Sequence, residues 1–173
     1  MIETARLWLR RFTSGDAAFA LRLLNEPSFI QNIGDRGVRN LEQAVRYLED
    51  GPLASYAKNG HGLEAVLLKE SGQTIGMCGV LKRDALPDRD VGYAFLPEFW
   101  SQGYAREAVA ATLSAARETL KLEAVAAYVS PGNAPSIRLL EKFGFVETGR
   151  AQVTPGAPEA LVFRLAWRNP TGS

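Results

Sequence analysis

The sequence predicts a mixed α/β fold, an α+β arrangement in which helices cover the faces of a mixed sheet. Three observations carry this. Residues 63–96 hold three strand-like runs in meander order, separated by turn signals. Residues 102–145 alternate helix, strand and helix. Two more strand runs then follow around a Pro/Gly-rich loop at Thr154 to Pro158.

Taken in order, Ala5 to Arg11 reads as a strand, with Leu7 and Leu9 alternating against Arg6, Trp8 and Arg10. Ser14 is placed as a helix cap, with Asp16 in the first turn at the positive end of the dipole. That helix buries Ala17, Ala20, Leu21 and Leu24 and stops at Asn25-Glu26-Pro27. Ile33 to Gly37 is turn-rich. Asn40 and Gln43 form a capping-box pattern ahead of a helix carrying Leu41, Ala44, Val45 and Leu48. Gly51-Pro52 breaks or kinks it, with a helical tail to Lys58.

Leu63 to Lys69 and Thr74 to Leu81 are strands joined by the turn Glu70-Ser71-Gly72-Gln73. Gly76 and Gly79 inside the second mark a bulge or a close backbone approach. Lys82 to Arg89 is a polar connection, and Asp90 to Leu96 is the third strand. Gln102 to Leu120 is helical, with Ala105, Ala108, Val109, Thr112, Leu113, Ala116 and Leu120 on one stripe. Glu123 to Val129 is a short buried strand. Asn133 or Pro135 opens the next helix, which turns Ile137, Leu139, Leu140 and Phe143 inward and ends at Gly144. Phe145 to Val153 and Ala160 to Trp167 are the last strands.

Composition bounds the function. The 173 residues suit one domain, expected over 1–173. A net charge of +1 is not the footprint of a nucleic-acid binder, although Arg6, Arg10, Arg11 and Arg22 give the N-terminal region a basic bias. Alternating arginines on a strand read more simply as a solvated face. One cysteine and one histidine leave no intrachain disulfide and no Cys- or His-rich metal site. No apolar run nears the roughly 18 residues of a membrane span, and no signal-peptide core is recognisable. A cytoplasmic protein is expected.

The sharpest local feature is Trp100-Ser101-Gln102-Gly103-Tyr104-Ala105-Arg106, between a strand and a helix. Gly103 allows positive φ and close approach of a ligand. Amides at a helix start then point outward, where the dipole favours an anion, and Arg106 can add a charge-assisted contact. Alone, such a turn reads as a helix start that happens to contain glycine. It is neither the Gly-x-Gly-x-x-Gly fingerprint nor a Gly-Lys-Ser/Thr phosphate loop.

Its flanks add specificity. Val91-Gly92-Tyr93-Ala94-Phe95-Leu96-Pro97-Glu98-Phe99 precedes the turn, and Asn133-Ala134-Pro135-Ser136-Ile137-Arg138-Leu139-Leu140-Glu141-Lys142-Phe143-Gly144-Phe145 follows one strand later. With Glu3 to Arg10, these segments resemble the GNAT acetyltransferase superfamily, and within it the branch similar to the RimJ/RimL ribosomal-protein N-acetyltransferases. The resemblance runs from Glu3 to about Leu165. It implies a central, mostly antiparallel sheet that splays at one strand, flanked by helices. It implies acetyl transfer from acetyl-CoA to a primary amine, either a protein N-terminus or a small molecule, by direct attack in a ternary complex without metal. The partners expected are acetyl-CoA and that amine, with no membrane and no nucleic acid, for a monomer or homodimer.

The resemblance also implies roles. Backbone groups of Ala94, Phe95 and Leu96 would pair with the pantetheine arm. Amides of Gln102, Gly103, Tyr104, Ala105 and Arg106 would hold the pyrophosphate. Asn133 would hydrogen-bond the pantetheine or help order the thioester end, and Arg138 or Lys142 would meet the adenosine 3′-phosphate. Many relatives carry a Tyr where this chain has Leu140, so the acid for the leaving thiolate is displaced to another group, with Ser136 a candidate, supplied by water, or unnecessary. A catalytically retired acyl-CoA-binding or partner-docking module is the alternative that Leu140 raises.

An amine must lose its proton before attack, and a carboxylate can take it. Asp90 is the first candidate base, Glu98 the second and Glu64 the third; each could equally be a solvated carboxylate. Histidine can serve as a base near neutral pH, but His61 sits in a loop, Gly60-His61-Gly62. Cys78 reads as a small core residue, and Tyr93 and Tyr104 as packing aromatics. Asn32 to Arg39, with Asp35, Arg36 and Arg39, is a candidate substrate-side loop.

Overall fold

The computed structural model of the chain describes residues 1–167; residues 168–173 of the expected domain lie outside the described residues. The strands are β1 (Ile2–Glu3), β2 (Leu7–Arg11), β3 (Leu63–Leu68), β4 (Thr74–Leu81), β5 (Asp90–Phe95), β6 (Ala124–Val129), β7 (Val146–Ala151) and β8 (Ala160–Ala166). The helices are α1 (Ala17–Leu24), α2 (Pro27–Asn32), α3 (Leu41–Leu48), α4 (Ala54–Asn59), α5 (Tyr104–Glu118) and α6 (Ala134–Lys142). The strands form one sheet in the order β1-β2-β3-β4-β5-β6-β8-β7.

Every neighbouring pair is antiparallel except β5 with β6. That parallel contact is a single position, Asp90 opposite Ala126, where the Ala126 amide donates to the Arg89 carbonyl at 2.9 Å. Both strands continue in the same direction without pairing again, so the sheet opens between them. The mostly antiparallel, splayed sheet that the resemblance implies is the one observed.

Strand alternation sends side chains to two cores. Cys78, Val66 and Val91 join Val109, Leu113 and Leu140 under α5 and α6. Ala65 and Met77 join Ala20, Leu24, Ala44 and Leu48 under α1 and α3. The glycines of β4 answer the choice between bulge and close approach. A Cβ on Gly79 would lie 2.2 Å from the Gly62 carbonyl oxygen, and one on Gly76 would lie 2.4 Å from Phe95 Cδ1. Both are close approaches; the irregularity in register lies in β3, between Val66 and Leu67.

Several local readings need correction. Thr13, not Ser14, starts the first helical turn, a 3-10 segment over Ser14–Asp16. The Thr13 amide donates to Asp16 Oδ2 at 2.9 Å, and Arg10 grips the same carboxylate with two bonds of 2.9 Å. Burial alone would raise the Asp16 pKa, but the bonds from Arg10 and Thr13 outweigh it and hold the carboxyl below its usual value. Pro27 ends α1 and also opens α2, because a first-turn proline loses no helical hydrogen bond. Asn40 caps α3 as expected, accepting from the Gln43 amide at 2.9 Å, while Gln43 reaches back to the Arg39 amide at 2.7 Å. Leu41 lies on the predicted stripe but at the first helical position, and it is exposed. A π-turn over Glu49–Leu53 absorbs Pro52 before α4.

Two buried groups sort structural from chemical roles. Cys78 is fully buried, with Thr112 Oγ1 at 3.2 Å, and burial pushes its thiol up to about 12. Glu64 Oε2 is buried without a hydrogen-bond partner, and burial raises that carboxyl. A raised carboxyl favours the protonated native state, so its contribution is present at low pH. It is lost as pH climbs from the unfolded value of about 4.3 through the folded one. Glu64→Gln should therefore gain in melting temperature over the native chain as pH rises from 4 to 7, with the gap narrowing toward acid. A gap independent of pH would mean that Glu64 is not strained by its charge.

Candidate active site

Two hydrogen bonds fix which backbone groups of β5 face the opening. The Leu96 amide donates to the Ile75 carbonyl on the β4 side at 2.9 Å, whereas the Arg89 carbonyl faces β6. Alternation then turns Asp90, Gly92 and Ala94 toward β4, and Tyr93 and Phe95 toward the opening. This corrects the expectation for Ala94 and Leu96. Of the three residues expected to present free backbone groups, Phe95 alone faces the gap, and its carbonyl accepts from the Trp100 indole at 2.9 Å.

A cavity of about 390 Å³ runs through the splay. Phe29, Asn32, Arg36 and Tyr47 line it from the α2–α3 side, and Asn133, Ser136 and Leu140 line it from α6. Asp90 and Tyr93 both line it, from opposite faces of β5.

Asp90 is 2% exposed. Arg83 Nε lies 3.1 Å from its Oδ1 and 3.3 Å from its Oδ2, and Nη2 lies 3.3 Å from Oδ2. Burial raises the Asp90 pKa, and Arg83 opposes the shift without cancelling it. The result is a carboxylate more basic than usual that is nonetheless held in place. On the other face, the Tyr93 hydroxyl and Ser136 Oγ share a short hydrogen bond. Burial pushes Tyr93 up to about 12, so it carries its proton at neutral pH. Ser136 stands one helical turn before Leu140 on the same face of α6, which places two hydroxyls beside the apolar position. Asn133 caps α6 and accepts from the Ser136 amide at 3.4 Å.

The Gly103 turn lies at the start of α5. Gly103 is left-handed, with φ +81°, and Ser101 also has positive φ. The Glu107 amide is the first to close onto the helix, reaching the Gly103 carbonyl at 3.0 Å. The amides of Tyr104, Ala105 and Arg106 therefore have no acceptor inside it. The turn is braced from β2: Arg6 donates from Nη1 to the Gln102 carbonyl at 2.9 Å and from Nε to Glu107 at 2.8 Å. Its guanidinium also lies 4.3 Å from the centre of the Tyr104 ring. Composition made Arg6 one arginine of a basic face; here it shapes the turn. Arg6→Ala should raise the acetyl-CoA KM about threefold and leave kcat unchanged, since an exposed brace contributes about 1 kcal/mol or less. A change in kcat with KM intact would assign Arg6 another role.

Other expected residues fall elsewhere. Glu98 is half exposed and paired with Arg22 at 2.6 Å; that bond lowers its pKa, and it does not line the cavity. A base needs the opposite shift and a place in the cavity, and Glu98 has neither. Gln102 turns its side chain back to the Glu98 carbonyl, and Arg106, Arg138 and Lys142 are exposed. His61 Nε2 accepts from Arg89 at 3.0 Å while Nδ1 lies 2.8 Å from the Val80 carbonyl, so its basic lone pair is occupied. Arg10, Arg11 and Arg22 are engaged with Asp16, the Gly60 carbonyl and Glu98. In the candidate loop, Asp35 and Arg39 pair with each other, and Arg36 lines the cavity. Arg83, Tyr47 and Tyr128 also line it and carried no sequence signal beyond being polar or aromatic.

Comparison with known proteins points the same way. Residues 6–146 match the family described as an acetyltransferase (GNAT) domain. The chain is 29% identical over 151 residues to the uncharacterized N-acetyltransferase YoaA of Bacillus subtilis, covering 86% of this chain and 84% of that one. It superposes on the acetyltransferase of Agrobacterium tumefaciens with a TM-score of 0.81 at 29% identity, covering 96% and 94%. It shares its fold with aminoglycoside acetyltransferase AAC(6')-Ib in complex with coenzyme A, at TM-score 0.74 and 20% identity, covering 92% and 94%. With a splayed sheet, a braced helix-start turn and a family match over most of its length, the chain belongs to the GNAT family of N-acetyltransferases.

Proposed function

We propose that the protein transfers an acetyl group from acetyl-CoA to a primary amine by direct attack within a ternary complex. The observation that carries this is the cavity through the splay, with a buried, basic Asp90 on one face and a Tyr93–Ser136 hydroxyl pair on the other. The residues present suit the cosubstrate. Unpaired amides at Tyr104 to Arg106 match a pyrophosphate, and the open edge at Tyr93 and Phe95 matches an extended amide-bearing arm. Acetyl-CoA supplies the thioester carbonyl and a thiolate leaving group.

The chain supplies the rest. Asp90 takes the proton from the ammonium, and its raised pKa improves it as a base near pH 7. A Tyr93 or Phe95 amide on the open edge can donate to the carbonyl oxygen as charge gathers there. Ser136, held by its hydrogen bond to Tyr93, can donate a hydrogen bond to the departing sulfur, and the thiolate takes its proton from water. The buried Cys78 thiol belongs to the core, in keeping with direct transfer and a reducing, cytoplasmic setting.

Thiol release from acetyl-CoA across a panel of amines tests the reading. Release that depends on amine, saturates in both substrates and shows intersecting initial-rate lines is expected. A melting-temperature shift with acetyl-CoA but no turnover of any amine would favour the alternative that Leu140 suggests, a retired acyl-CoA-binding module.

A further inference from the structure

The acceptor side of the cavity carries a charge pattern of its own. Its charged lining residues are Arg36, Arg83 and Asp90. Arg83 is engaged with Asp90 through Nε and Nη2. Arg36 has no carboxylate within ion-pair distance among the described residues, because its neighbour Asp35 is held by Arg39. Tyr47, on α3, lies near both guanidiniums: burial pushes its phenol up, and Arg36 and Arg83 oppose the shift. Apart from the Asn32 amide, the remaining wall on this side is apolar, built from Phe29, Ile33, Met77 and Leu81.

Resting on the acyl-transfer reading, we infer that the acceptor is a compact, largely apolar primary amine bearing an anionic group a few bonds from its nitrogen, with Arg36 holding the anion and Asp90 facing the amine. A polyamine or other polycation would bring several positive charges into a cavity whose one carboxylate is partly neutralised by Arg83. An anion placed by Arg36 and the Tyr47 hydroxyl instead leaves the amine as the only group for Asp90 to receive. The volume of about 390 Å³ also houses the reacting end of the donor at Asn133 and Ser136, which leaves room for a small acceptor.

The test compares leucine, phenylalanine and methionine with their α-amides, with isoamylamine and phenethylamine, with spermidine, and with the phosphonate analogue of leucine. The expected result is a kcat/KM about tenfold or more higher for the anionic amines, the size of one charge-assisted hydrogen bond. The leucine and phosphonate arms decide which anion is preferred. Arg36→Ala should raise the amino-acid KM about 10- to 100-fold while acetyl-CoA and isoamylamine KM stay unchanged, and Arg36→Lys should recover part of the loss. Preference for the amides, for the simple amines or for spermidine overturns the inference, as does an Arg36→Ala variant that treats all amines like the native enzyme. Those outcomes leave acyl transfer standing, whereas no CoA release with any amine overturns both.

Discussion

Asp90→Asn is expected to lower kcat by about 10²- to 10⁴-fold at pH 7, the usual contribution of a positioned general base. Asparagine keeps the shape and the position beside Arg83, but it cannot accept the ammonium proton. The pH profile separates this from a structural defect. In the native enzyme, burial raises the Asp90 carboxyl above its ordinary range, so the acid limb of kcat should sit above the usual carboxylate region. In the variant that limb should vanish, leaving a rate that climbs toward alkaline pH as free amine accumulates. The stability sign is independent. A carboxyl with a raised folded pKa loses its stabilising contribution as pH rises through that value, so removing it should not lower the melting temperature at pH 7 through ionisation. A native pH profile in Asp90→Asn would move proton removal to water. Glu98→Gln is the control: a carboxylate tied to Arg22 outside the cavity should show native kcat.

The contrast between Asp90 and Glu98 shows what the sequence could carry. Local chemistry was readable. Asn40 and Asn133 start helices, Gly103 takes positive φ at the head of α5, and Gly76 and Gly79 admit close neighbours, because each depends on residues a few positions away. The splay and the order of elements were readable because the resemblance spans the chain. Long-range pairing was not. Glu98 is neutralised by Arg22, 76 positions earlier, and Asp90 is held by Arg83 from a connection that looked merely polar. Tyr93 looked like packing because a strand pattern gives parity but not which face meets α6. Asn25-Glu26-Pro27 stops α1 as read, but periodicity fixes only an angle around a helix, so neither the exposure of Leu41 nor the start of α2 at Pro27 follows from it.

Gly103→Val should raise the acetyl-CoA KM by about 10- to 100-fold with little change in kcat at saturation, the signature of lost binding that is equal in ground and transition states. Two effects combine. The native φ of +81° lies where a β-branched residue is strained by roughly 1–2 kcal/mol, so the turn relaxes and the amides of Tyr104 to Arg106 lose their common aim. A Cβ at this position would also stand 3.2 Å from Arg6 Nη2, pressing on the guanidinium whose other nitrogen holds the Gln102 carbonyl. Gly103→Ala meets the same Arg6 contact with less backbone strain, and its KM should rise less. Because the glycine faces no acceptor-side residue, the amine KM should stay native in both variants. Isothermal titration with CoA measures the same loss without turnover. An unchanged CoA affinity in Gly103→Val would take the α5 start out of the cofactor site, leaving the open edge at Tyr93 and Phe95 to carry the binding.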